Sequence, residues 1–156
     1  MIISPAKKMR VDQEYLAYQD LPRFLKEAER LMGQLRQMDA SALQTLWKCN
    51  DALARENIQR LQRMELYHDL TPAILAYDGI QYRYLAPNVL EEGALAYLQA
   101  HLRILSGFYG LLRPLDGVTP YRLEMQAKLA VGRPGIYTPS GAKNWEPPWG
   151  RRRIRC

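Results

Sequence analysis

Apolar residues first recur with a helical period after Pro22. Phe24, Leu25, Ala28, Leu31, Met32, Leu35 and Met38 follow at spacings of three and four, which predicts an amphipathic helix. Asp39 or Ser41 then stands where an N-cap is wanted, ahead of Leu43, Leu46 and Trp47. A third helical stretch starts at about Asn50 or Asp51 and carries Leu53, Ala54, Ile58, Leu61 and Met64 on one face. The period leaves open whether the second and third are separate or one bent helix. At the start of the chain, Ile2-Ile3 reads as a short strand closed by Ser4-Pro5. The apolar run from Ala73 to Tyr77 is expected to be a buried strand, ended by the turn dipeptide Asp78-Gly79. Ile80 to Leu85 fits either a hairpin return strand or an entry to the next helix. Asn88 with Glu91 has capping-box spacing, so a helix is expected from there toward His101. Helices and strands interleave, which predicts one α+β (mixed α/β) domain with a central mixed sheet and surrounding helices.

The stretch LRILSGFYGLLRPLDGVTPYRLEM, Leu102 to Met125, departs from this plain patterning. Leu102, Ile104 and Leu105 around Arg103 suit a central strand, and Ser106-Gly107 ends it. Pro114 disfavours helix at Arg113, so Leu111 to Asp116 is expected to be a fixed turn. Alternation after Pro120 places Tyr121, Leu123 and Met125 on one face and Arg122 and Glu124 on the other. One reading gathers Arg103, Arg113 and Arg122 with Tyr109 and Tyr121 around an anion, since guanidinium groups hold oxyanions bidentately. The other pairs Arg113 with Asp116 and Arg122 with Glu124 simply to brace the turns. Nothing in the chain has the spacing of a nucleophile elbow, a P-loop or a histidine triad, so no catalytic residue is assigned.

Charge changes the picture less than its total suggests. The formal net charge is +6, but residues 133–156 carry six basic residues against Glu146, so that segment supplies +5 and residues 1–132 only +1. A basic surface spread over the whole domain is therefore not implied. Cys49 and Cys156 form no CxxC pair and no zinc-like cluster with His68 and His101, so neither a metal site nor a cofactor is expected. No run approaches the ~18 apolar residues of a membrane span, and MIISPAKKMR has no secretory pattern. A cytoplasmic location is expected.

Three segments carry a family resemblance. Ile3-Ser4-Pro5-Ala6-Lys7, Leu105-Ser106-Gly107-Phe108-Tyr109-Gly110-Leu111-Leu112-Arg113-Pro114-Leu115-Asp116 and Pro120-Tyr121-Arg122-Leu123-Glu124-Met125 closely resemble the YaaA family, with Leu75 to Gly79 and Tyr82 as weaker support. The resemblance runs to about Tyr137. It implies a role in hydrogen peroxide stress, limiting intracellular iron and oxidative damage. It also implies duplex DNA binding through a cationic cleft and a helix-hairpin-helix-like element. That element is placed on the helical pair around Leu35 to Met64, with Asp39-Ala40-Ser41 as its turn; ordinary helix packing is the other reading. Family members commonly have Gly-Asp-Val-Tyr where this chain has Gly79-Ile80-Gln81-Tyr82. Residues 138–156, with four arginines among the last six, are expected to be a disordered remnant of a frame-shifted or truncated longer frame. A basic phosphate-binding arm and a disordered end with no role are the alternatives.

Beside the reading of the chain as an inactive truncated fragment, two functional classes stay open. In one, Lys7, Arg103, Arg113 and Arg122 contribute to a cationic DNA-binding surface. In the other, Ser4, Lys7, Tyr109, Arg113, Asp116 and Glu124 line a pocket for a small phosphorylated or nucleotide-like ligand, with Asp116 or Glu124 as base. Ser106 and Tyr121 complete the candidate anion-binding set.

Overall fold

The computed structural model describes residues 1–123. The helical period after Pro22 becomes three helices: α1 (Leu25–Gln37), α2 (Ala40–Trp47) and α3 (Asp51–Arg63). Leu25, Ala28, Leu31 and Leu35 form the buried stripe of α1. Asp39 caps α2, its Oδ1 accepting the Ala42 N–H at 2.7 Å, and Asn50 caps α3 by accepting from Leu53 at 2.9 Å. Between them Lys48 takes the left-handed conformation, φ 48°, so α2 and α3 are separate helices. Arg36 of α1 donates from Nε to Leu61 O (3.1 Å) and from Nη2 to Met64 O (2.9 Å), a cation on the open carbonyls ending α3.

The strands are short. Strand β1 (Ile2–Ile3) lies parallel to β5 (Arg103–Ser106), Ile3 opposite Ile104, and β6 (Gly110–Leu112) runs antiparallel to β5. This mixed sheet has the order β1-β5-β6. Two antiparallel pairs flank it: β2 (Lys8–Met9) with β4 (Tyr77–Asp78), and β3 (Thr71–Pro72) with β7 (Gly117–Val118). Helices α4 (Ala73–Ala76), α5 (Ile80–Leu85) and α6 (Glu92–His101) complete the α+β domain.

Three local expectations are corrected. Ala73–Ala76 is one turn of helix, and only Tyr77 and Asp78 enter a strand. Its first amides are taken by the far turn, Ala73 N–H to Asp116 O (2.8 Å) and Ile74 N–H to Pro114 O (2.9 Å), which fixes the helical start. Asn88 caps nothing: Pro87–Val89 is a 3₁₀ turn, Leu90 is extended, and α6 begins after Glu91 with no side-chain cap. Leu111 and Leu112 belong to β6, which confines the tight turn to Arg113–Asp116.

Two groups of buried side chains make the core. One joins the three helices to Tyr77, Phe108, Tyr109 and Tyr121; the other packs Ile74, Leu75, Leu98, Leu102 and Leu115 under α6. Ile3 touches both. Residues 12–20 form a strap across the second group. It is fastened by Asp12 N–H to Thr71 Oγ1 (3.1 Å) at one end. At the other, Gln19 N–H donates to Leu115 O and Gly117 N–H to Asp20 O, both at 2.9 Å. A Cβ on Gly117 would sit 2.8 Å from Leu70 Cδ1 and 2.9 Å from the Tyr18 ring of the strap, a space that only glycine leaves open. Among the described residues no helix is long and apolar enough to cross a membrane.

Candidate functional site

Ser106, at the end of β5, is fully buried. Its Oγ accepts the N–H groups of Phe108 (3.2 Å) and Tyr109 (2.9 Å), which fixes the reversal into β6. With both lone pairs taken, its own proton goes to the Tyr121 hydroxyl at 2.6 Å, and the Tyr121 and Tyr77 hydroxyls share a further hydrogen bond at 2.8 Å. Phe108 stacks on Tyr121 with centroids 5.2 Å apart, and Tyr109 meets Tyr121 edge-on at 5.6 Å. Tyr109 accepts the Thr119 N–H (3.1 Å), while Tyr82 donates to Ser4 O (2.8 Å). Burial pushes the phenols of Tyr77, Tyr82, Tyr109 and Tyr121 up. These hydroxyls act as neutral hydrogen-bonding groups. Ser106, Tyr109 and Tyr121 thus build the fold from within and do not face an external anion.

Three of the charged members, Arg103, Arg113 and Asp116, lie near one another. Asp116 closes its own turn, its Oδ2 accepting the Arg113 N–H at 2.8 Å. It is 3% exposed, and burial pushes its carboxyl up to about 6 despite that hydrogen bond and the nearby Arg113 and Arg103 charges. The Arg113 guanidinium does not pair with Asp116; it reaches Asp20 Oδ2 at 3.4 Å. Arg103 Nη1 donates to Gln99 O (3.0 Å) and Leu102 O (2.6 Å), at the C-terminal end of α6. Arg103 and Arg113 border one cleft of about 610 Å³ between the strap, α6 and the Arg113–Leu115 turn.

Arg122 lies elsewhere, against α2 and α3. It lines a pinhole of about 10 Å³ with Trp47 and Arg60, and among the described residues neither Arg122 Nε nor Trp47 Nε1 finds a hydrogen-bond partner. The three arginines therefore do not converge. Nor do Ser4, Lys7, Tyr109, Arg113 and Asp116 share a cavity, because Tyr109 is sealed in the core while Arg113 faces the cleft. Glu124 falls outside the described residues, as do Met125 and residues 138–156. Ser4 and Lys7 are exposed before β2. There Asp78 accepts two hydrogen bonds from Arg83, both 3.1 Å, and pairs with Lys8 at 3.5 Å. The Arg83 hydrogen bonds are the main cause holding the Asp78 carboxyl below its usual range.

Residue patterns alone did not single out Asp20, Gln99, Tyr77 or the Asp78–Arg83 pair as site residues. Asp20 lies 93 residues from Arg113, and no local spacing announces such a partner. Among the described residues no three His, Cys, Asp or Glu side chains gather where they could hold a metal ion.

The three resemblance-bearing segments meet in this architecture: β1 on β5, the Ser4 carbonyl on Tyr82, and Tyr121 on Ser106. A comparison with protein families identifies the same relationship, the model described as peroxide stress protein YaaA matching residues 1–144. The chain belongs to that family. Curated relatives of the chain carry the name UPF0246 protein. That of Pediococcus pentosaceus is 54% identical over 131 residues, covering 84% of this chain and 52% of the relative. That of Lactiplantibacillus plantarum is 51% identical over 152 residues, covering 97% and 58%. That of Agathobacter rectalis is 50% identical over 132 residues, covering 85% and 53%. The YaaA-family chain thus spans about half the length of the curated relatives it matches.

Proposed function

We propose that this chain acts in the cytoplasm in the response to hydrogen peroxide, limiting intracellular iron and oxidative damage, and that it binds duplex DNA. The match to the peroxide stress family over residues 1–144 is the observation that carries this reading. The DNA-binding element we infer is the α2–α3 hairpin. Its turn is Lys48-Cys49-Asn50, between the two helices, and replaces the Asp39-Ala40-Ser41 turn expected from the pattern. A left-handed residue ends α2, and a side-chain cap starts α3, whose N-terminus presents backbone N–H groups and a positive dipole end. Lys48, Arg55, Arg60 and Arg63 are all exposed on this unit. Arg122 adds a guanidinium at its base. Such contacts to the DNA backbone position the protein without reading sequence.

Fluorescence anisotropy with a labelled duplex of about 20 base pairs tests this, titrated at several salt concentrations. The expected result is an affinity that falls linearly on a log–log plot, with a slope of about −0.9 per neutralised phosphate. Lys48→Glu with Arg63→Glu is expected to weaken binding and make the slope shallower by about one or two units. Salt-independent binding, or an unchanged slope in the double variant, would argue against the hairpin.

A further inference from the structure

We propose that the cleft beneath the 12–20 strap binds a small amphiphilic carboxylate, its aliphatic body against Leu16, Leu95 and Leu115 and its carboxylate on Arg113 and Arg103. The cleft is about 610 Å³, within the ~300–1,000 Å³ typical of small-ligand sites. It has a roof fixed at both ends, by Asp12 on Thr71 and by Gln19 and Asp20 on the Leu115–Gly117 segment. Leu16 of that roof packs against the same buried cluster that contains Leu115.

The wall chemistry selects the ligand. None of the described residues that line it is aromatic, and they offer a nucleobase no stacking face. Leucine and alanine side chains instead offer an aliphatic surface. Arg103 is held in place by the Gln99 and Leu102 carbonyls, which occupy only Nη1 and leave further N–H donors of its guanidinium. Arg113 is half-exposed, and its 3.4 Å contact with Asp20 is a long pair at the surface, worth little and open to exchange. A ligand carboxylate can replace Asp20 and bind bidentately. Glu92 also lines the cleft and disfavours a second negative charge, which favours a monoanion over a phosphate dianion. None of this depends on DNA binding, which is assigned to α2 and α3.

Calorimetric titration of the full chain with octanoate tests the assignment, alongside acetate, 1-octanol and hexyl phosphate. Octanoate is expected to bind saturably and at least tenfold more tightly than each of the others. Arg113→Gln should weaken octanoate binding about tenfold or more, while Asp20→Asn, which frees Arg113, should tighten it several-fold. Two variants moving affinity in opposite directions separate ligand contact from loss of folding. The proposal is overturned by no saturable octanoate binding, by equal affinity in Arg113→Gln, by failure of Asp20→Asn to tighten, or by preference for hexyl phosphate.

Discussion

Asp116 concentrates the tension between burial and charge in this fold. Its turn needs an acceptor for the Arg113 N–H, and the carboxylate supplies one at 2.8 Å, but at 3% exposure the charge is poorly solvated. The folded carboxyl titrates at about 6, against 3.8 as the ordinary value, so the folded chain holds this proton the more tightly. The stability that follows is present in full below about pH 4 and is lost as pH rises through 6, on the order of 3 kcal/mol. Asp116→Asn keeps an oxygen for the Arg113 N–H and removes the charge. The variant is expected to lose most of the decline in Tm between pH 4 and 7 and to be more stable than the parent at pH 8. A decline as steep as the parent's would show that another group is responsible. Ser106 is the opposite case, a buried polar atom with every bond made, which the sequence offered as the end of a strand and as a member of the anion-binding set.

The helices were legible as elements because long periodic runs with Asp39 and Asn50 in place leave little choice. Ala73 to Ala76 was not, because an apolar run this short fits a buried strand as well as a helical turn. What decides it is the Pro114 and Asp116 carbonyls, about forty residues away in sequence. The same logic split the expected anion site: local alternation placed Tyr121 and Arg122 on opposite faces, but it could not show that those faces meet an aromatic core and a helical hairpin. At the hairpin, Lys48 pays for its turn with a left-handed backbone, which costs a non-glycine residue about 1–2 kcal/mol. Lys48→Gly is therefore expected to raise stability by about 1 kcal/mol in urea denaturation, with an unchanged m-value. A loss of stability would mean that the lysine side chain supports the turn by more than its backbone costs.

Across the molecule, the mixed sheet is thin where it is most exposed. Among the described residues β1 pairs on one side only, and Ile2 is 49% exposed on that edge. An open edge with an apolar side chain invites pairing between copies. Ile2→Lys adds a charge without disturbing a buried position, so light scattering at high protein concentration is expected to fall. Equal scattering would clear this edge of the association. The placement of β1 and the strap also sets a schedule for synthesis. Ile3 waits for Ile104, Asp12 for Thr71 and Gln19 for Leu115, whereas α1 to α3 can join one another early, through the Arg36 bonds to Leu61 and Met64, and wait only for the aromatic part of their core. At a ribosome's pace of about 5–20 residues per second, the first strand stays unpaired for roughly 5–20 s. The segment that opens with β5 is thus the latch of the nascent chain: until it emerges, β1 has no strand to lie against, although β2 and the start of the strap already have β4 and Thr71 to meet.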